Sequence, residues 1–253
     1  MPSDFYETQR ATSDYLLFHY GQPHEILPHA FGPADALDYP VRCISECLDF
    51  AELPSRTHAL DLGCSVGRST FELARHFEHV IGIDYSHTFI DAANQLRTHG
   101  ELPFSYIEEG DVVKNTTAIV DPAIERSRAT FEQGDAHQLR DDLPAFDAIL
   151  AANLIDRLHR PAEFLQKIHQ LLKPGGQLIL TSPYTWQETS TPKENWLGGT
   201  PEHPHTLDTL KQILTPHFAL TATRDLPFLI REHARKYQWS VAQATTWQRL
   251  EDV

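Results

Sequence analysis

The densest set of chemically useful residues is Leu60-Asp61-Leu62-Gly63-Cys64-Ser65-Val66-Gly67-Arg68-Ser69. An apolar run leads into two glycines, which permit a tight turn and a close backbone approach to a ligand. The helix expected to start at Arg68–Thr70 would add free N–H groups at its first turn. The spacing is GxSxG, not the GxGxxG of a dinucleotide-binding turn. GxSxG is also the frame of a nucleophile elbow, but no Asp and His follow Ser65 in order at suitable strand ends, and Asp61 sits inside the motif. A second segment, Ile81-Gly82-Ile83-Asp84-Tyr85-Ser86, puts an acid about 20 residues beyond the glycine turn, where it can accept both hydroxyls of a ribose. Gln133-Gly134-Asp135-Ala136, Ala151-Ala152-Asn153-Leu154 and Leu171–Gly176 (LLKPGG) complete the set.

These residues act together only if strand ends are brought side by side. His58–Cys64 reads as a buried strand, Arg68–Phe77 as a helix, His79–Asp84 as a strand and His87–Leu96 as a helix. Alternation of this kind predicts a parallel sheet with right-handed crossovers. It breaks over 101–130, where Phe104–Glu109 and Asp111–Val120 suggest a hairpin about Gly110. Asp121-Pro122 then resembles the start of a short helix. The rhythm resumes with strands at Thr130–Gln133 and Phe146–Ala151. A helix over Ala162–Leu172 carries Phe164, Leu165, Ile168, Leu171 and Leu172 on one face, Lys173-Pro174-Gly175-Gly176 ends it, and Gln177–Thr181 is the next strand. Residues 183–205 hold four prolines, two glycines and two tryptophans and predict a long loop. His205–Leu214 is helical in pattern, and Phe218–Phe228 with Lys236–Trp247 suggest a hairpin at the sheet edge. Residues 1–56 form a mostly helical lead-in interrupted at Pro23, Pro28, Pro33 and Pro40, with a helical spacing across Tyr39–Leu53.

At 253 residues, 41% of them hydrophobic, the chain suits one well-buried α/β core. Its formal charge is −14, from 35 acidic against 21 basic residues. That excess repels nucleic-acid phosphates, and no Lys/Arg stripe offsets it, so the expected partner is a small molecule. The three cysteines do not make a disulfide framework, and the fifteen histidines include no HExxH pattern, so no metal is expected. No apolar run reaches membrane-spanning length. MPSDFYETQR lacks the form of a secretory signal, and a cytoplasmic location is the expectation.

The five segments in this order resemble the class I S-adenosylmethionine (SAM)-dependent methyltransferases. The resemblance implies a Rossmann-like α/β fold with a seven-stranded, mostly parallel sheet, an antiparallel edge hairpin and the inserted hairpin as an addition, in one domain over residues 1–253. It implies that Asp61 and the Gly63–Ser65–Gly67 turn hold the methionine portion of SAM, Asp84 and the adjoining Tyr85 the ribose, Asp135 and Ala136 the adenine, and that Asn153 lies under the sulfonium. Ser65 stands where the family usually has a glycine.

Phe5-Tyr6-Glu7-Thr8, Tyr15–Gly21 (YLLFHYG), Ala129–Asp135 (ATFEQGD) and Phe228–Trp239 (FLIREHARKYQW) resemble a narrower group, the 4-mercaptohistidine (5-thiohistidine) N-methyltransferases of ovothiol biosynthesis, over nearly the whole chain. The substrate so implied is a zwitterionic amino acid with an imidazole ring. Arg231 and Arg235 are candidates for its carboxylate, since a planar fork suits one. Tyr39, Tyr184 and Trp186 are candidates for a flat wall against the ring. Asp156 and His159, just beyond Asn153, are the leading candidates for proton handling, with His24 and Glu188 behind them. The 183–205 loop is expected to fold over the substrate as a lid. The alternatives are methylation of another small polar metabolite, and a SAM-binding protein without activity. Which ring nitrogen would accept the methyl, and the oligomeric state, are left open.

Overall fold

The computed structural model describes residues 4–251. Its main sheet has seven strands in the order β5-β2-β1-β6-β7-β9-β8, where β1 is His58–Leu62, β2 His79–Asp84, β5 Ala129–Gln133, β6 Phe146–Ala152, β7 Leu172–Ser182, β8 Phe218–His233 and β9 Lys236–Arg249. The first five in that order run parallel, and β9 and β8 close the edge antiparallel. A separate two-stranded hairpin, β3 (Glu101–Glu109) and β4 (Val112–Ile119), occupies the expected insertion. This is the parallel sheet that the alternation of elements predicts, in the Rossmann-like form that the resemblance implies.

The strands sort their side chains by a period of two, because successive Cβ atoms point to opposite faces. Ala59, Ala148, Leu150 and Ile179 join one apolar cluster, while Leu60, Leu62, Ile149, Leu178 and Leu180 join the other. Helices α4 (Arg68–Ala74) and α5 (His87–His99) cover the first face, and α6 (Pro161–Lys167) and α7 (Thr206–Leu214) the second. On the first face the lead-in adds α1 (Gln9–Tyr20), α2 (Pro23–Ile26) and α3 (Tyr39–Ser45). Thr8 caps α1 by accepting the Ala11 N–H at 3.1 Å, and Ser86 caps α5 through the Phe89 N–H at 3.2 Å.

Three local expectations are corrected by tertiary contacts. The helix expected over Tyr39–Leu53 ends at Ser45, because the Gln177 side chain pairs with both backbone groups of Asp49, at 3.0 and 2.8 Å. No helix opens at Asp121-Pro122. Asp121 instead caps the Ala123 N–H in a turn and receives Arg75 Nη2 at 2.8 Å. Lys173–Gly176 does not precede a strand but lies within β7, where the pairing jumps from Phe146–Leu172 to Ala148–Gln177.

The β8–β9 hairpin outruns the sheet. Only Gln243–Gln248 of β9 pair with β7, so the outer half projects past the strand ends toward α1 and the β3–β4 hairpin. Arg231, 3% exposed on β8, fastens these parts together. Its guanidinium donates to the Glu108 carboxylate on β3 and to the Glu25 carbonyl at α2, and lies over the Tyr106 ring at 5.0 Å. Arg231 is therefore a structural staple, and the expectation that it receives a substrate carboxylate is corrected. Hydrogen bonds to a charged group contribute about 1.5–3 kcal/mol, so Arg231→Leu is expected to lower unfolding free energy by about that amount in urea titration. A midpoint equal to that of the unaltered protein would contradict the staple.

Candidate functional site

The backbone of the strand ends is knitted together before any side chain enters. Gly63 and Cys64 N–H donate to the Ile83 carbonyl at 2.8 and 3.2 Å, Gly134 N–H to the Asp84 carbonyl at 2.9 Å, and Asn153 N–H to the Thr181 carbonyl at 2.8 Å. Ser65 and Asn153 are held at φ of 50° and 52°, an uncommon conformation for residues with a side chain. Over these ends lies one cavity of about 540 Å³, within the range of small-molecule sites. Its walls include Gly63, Ser65, Asp84, Tyr85, Asp135, Ala136, Asn153, Tyr39 and His159, so these nine candidates meet in a single space.

Asp84 sits at the junction. One carboxylate oxygen accepts the Ser65 N–H at 2.8 Å, the other the Ser86 N–H at 2.9 Å. Burial pushes its pKa up, and those two N–H groups oppose the rise. Asp135, at the end of β5, shapes its own turn by accepting the His137 N–H at 2.8 Å. Asp61 does not line the cavity. It is buried beneath the glycine turn, where one oxygen receives the Ser69 and Thr70 hydroxyls of α4 at 2.6 and 2.7 Å. Its other oxygen has no hydrogen-bond partner among the described residues, and burial raises its pKa to about 6. Gly67 serves packing, not ligand approach: its φ is 85°, and a Cβ there would stand 2.7 Å from the Phe131 ring.

At the inner end the Tyr39 hydroxyl donates to Asn153 Oδ1 at 2.9 Å and shares a 2.7 Å hydrogen bond with the Thr181 hydroxyl. Burial holds this phenol well above its usual pKa, so it stays protonated. Phe18 stacks on Tyr39 at 6.1 Å. Phe18, His19 and Tyr15 of α1 line the same space, as does Arg157. The sequence offered α1 as a recognisable segment but gave no sign that it folds over the strand ends. His19 is buried enough, and close enough to the Arg68 cation, that its pKa falls to about 3, so its ring is neutral, and its Nδ1 has no hydrogen-bond partner among the described residues.

Other candidates are placed elsewhere. Tyr184 and Trp186 belong to a separate recess with Thr206 and Gln243. The Tyr184 hydroxyl donates to Gln243 Oε1 at 2.9 Å, and the Trp186 indole to the Thr206 hydroxyl at 3.2 Å. The 183–205 loop is thus bound down along the second face, and within it only Ser190 borders the cavity, so the expected lid over the substrate is not formed by its aromatics. Arg235 is exposed at the tip of the β8–β9 hairpin. Asp156 is buried, outside the cavity wall, and accepts the Thr185 N–H at 2.9 Å, which leaves it no access to an acceptor's proton. His24 and Glu188 are exposed and do not border the cavity.

Two models of the methyltransferase domain match, over residues 60–180 and 123–253. The chain belongs to the methyltransferase-domain family. Its cofactor is S-adenosylmethionine. Among curated relatives, a ubiquinone biosynthesis O-methyltransferase of Coxiella burnetii is 26% identical over 125 residues, 49% of this chain and 43% of that one. A probable cobalt-precorrin-6B C(15)-methyltransferase of Methanothermobacter thermautotrophicus is 30% identical over 143 residues, 56% of this chain and 59% of that one. The match spans less than half the length of the Coxiella relative. The solved structure of a SAM-dependent methyltransferase from Methanosarcina mazei superposes with a TM-score of 0.53 at 19% identity, covering 80% of this chain and 97% of that one. The YcgJ protein of Bacillus subtilis gives 0.52 at 14%, covering 80% and 95%. Both show a shared fold. Among the described residues no helix is long and apolar enough to cross a membrane.

If Asp84 meets the ribose diol, Asp84→Ala removes about 1.5–3 kcal/mol of charge-assisted bonding, and SAM affinity is expected to fall at least about tenfold while the fold persists. Titration calorimetry giving an unchanged affinity for a folded Asp84→Ala variant would contradict that placement.

Proposed function

We propose that the protein transfers the methyl group of SAM to a ring nitrogen of 5-thiohistidine, the step that forms ovothiol. One observation carries the methyl-transfer part: a single cavity joins the Asp84–Asp135 pair of acids to the Tyr39–Asn153 pair across the strand ends. The amino-acid acceptor is supported by the resemblance of the α1, β5 and β8–β9 segments to the thiohistidine N-methyltransferases.

The residues present fit the cofactor. Asp84 keeps lone pairs for the two ribose hydroxyls, and Tyr85 flanks the same edge of the cavity. Asp135 and the Ala136 backbone border the same cavity and suit the adenine amine and ring. The Gly63–Ser65 turn suits the methionine portion, and the Ser65 hydroxyl, buried without a partner, is a donor in waiting there. The oxygen of Asp61 that lacks a partner lies beneath the same turn and suits a cation close above it. SAM supplies a methyl group on a positively charged sulfur.

The chain's contribution is mainly orientation, since holding two reactants in line removes much of the entropic barrier. Asn153 and Tyr39 fix the floor where the methyl passes. The aromatic rings of Tyr15, Phe18 and Tyr39 form an apolar wall that suits a flat imidazole and keeps water out. His19, with its pKa near 3, is too weak a base to take the ring proton, but its neutral ring can hydrogen-bond to the acceptor. His159, exposed at the rim, is the candidate that can pass a proton to solvent.

The sulfur of thiohistidine gives a direct test. A ring thiolate pushes electron density into the imidazole and favours attack by nitrogen. A donor placed for the sulfur is left buried and unpaired when histidine binds, at a cost of about 1–3 kcal/mol, and such sites reject the lacking analogue by large factors. A preference of at least about a hundredfold in kcat/KM for 5-thiohistidine over histidine is expected, with the methyl on nitrogen. Equal rates, or methylation on sulfur, would contradict the thiohistidine reading and favour another small acceptor.

A further inference from the structure

Among the described residues that line the cavity, Arg157 is the one Lys or Arg. It ends the 3-10 turn Ile155–Arg157, four residues beyond Asn153. Its Nη1 is fixed: it donates to the Thr185 carbonyl at 2.9 Å and the Asp156 carbonyl at 3.2 Å, and lies 3.7 Å from the Asp156 carboxylate. All these contacts use the same nitrogen. The Nε and Nη2 N–H groups make no hydrogen bond to the described residues. Asp156, buried and bonded to the Thr185 N–H, locks the turn against the start of the 183–205 loop and so holds the guanidinium plane. A guanidinium anchored by one nitrogen presents the remaining edge in a set direction, and that edge matches the two oxygens of a carboxylate.

The other formally charged residues on the walls, Glu7, Asp84 and Asp135, are all acids. Among the described Lys and Arg residues and acids on the walls, a free carboxylate is repelled by these three and attracted by Arg157. The Tyr15 phenol lies within electrostatic reach of both Arg157 and Asp84. Arg231, occupied by Glu108 and Glu25, and Arg235, at the exposed hairpin tip, do not reach this space.

We propose that Arg157 binds the carboxylate of the amino-acid acceptor through its Nε–Nη2 edge, with Asp156 as its positioning residue. The assignment rests on the reading of the acceptor as thiohistidine. It makes Arg157 the residue that selects an amino acid over the corresponding amine.

The test compares 5-thiohistidine with its decarboxylated analogue, 5-thiohistamine, as substrates of the unaltered protein, R157K and R157Q. S-adenosylhomocysteine affinity is measured in parallel, as a check on both folding and the cofactor site. The unaltered protein is expected to favour thiohistidine by about a hundredfold in kcat/KM. R157Q is expected to lose that preference through thiohistidine alone, R157K to regain part of it, and both to bind S-adenosylhomocysteine normally. A preference retained in R157Q overturns the assignment. So does a matching loss of S-adenosylhomocysteine affinity, which would give Arg157 to the cofactor. Equal turnover of both compounds by the unaltered protein overturns the role of Arg157 and leaves the thiohistidine reading standing. No turnover of either overturns that reading and this assignment together.

Discussion

The hydrogen bonds of the Asp84 carboxylate are the constraint on which the site depends. They join the turn after β1, through Ser65, to the turn after β2, through Ser86. Placing an acid at this depth is unfavourable in itself, as the rise in its pKa records, and the two backbone N–H groups offset part of that cost. The same bonds hold Ser65 in its left-handed conformation and point the turn at the cavity. Asp61 supports the arrangement from below by tying α4 to β1. The glycine turn is therefore set by two carboxylates, the half-buried Asp84 facing the cavity and the buried Asp61 beneath it.

A second level of organisation covers this floor. The lead-in helices, the inserted β3–β4 hairpin and the overhanging half of β8–β9 come from three distant parts of the chain, and Arg231 gathers them. Once gathered, they set Tyr15, Phe18 and His19 on the wall of the cavity that Asn153 also lines. Two arginines thus divide the labour. Arg231 is buried, with both terminal nitrogens paired to Glu25 and Glu108, which suits a structural role, whereas Arg157 is anchored at one nitrogen only, which suits recognition of an anion.

Much of this was legible in the sequence, for physical reasons. The continuously buried apolar runs of β1 and β6, their alternation with helices and the glycine turn are local signals, and they placed Asp84, Asp135 and Asn153 at the ends of strands of one sheet. The Gly110 hairpin and the edge hairpin were legible from turn residues and alternation. What failed depends on long-range contacts. Gln177 stops the helix at Ser45 from 128 residues away, and no local pattern records that. Tyr184 and Trp186 have the composition of a binding loop, yet hydrogen bonds to Gln243 and Thr206 direct them to another surface. Arg231 and Arg157 are indistinguishable by type, and only their partners separate a staple from a free fork. The segment Asn153–Arg157 carried a signal that was missed: a cation four residues beyond a strand-end asparagine stands close to any acceptor.

The central claim is that one cavity holds cofactor and acceptor together, with the methyl passing over Asn153. A crystal structure with S-adenosylhomocysteine and 5-thiohistidine measures this most directly. The ribose is expected at Asp84, the cofactor sulfur beside Asn153 and the imidazole against Tyr39. Thiohistidine seated instead in the recess of Tyr184 and Trp186, or a cofactor whose ribose lies away from Asp84, would contradict it.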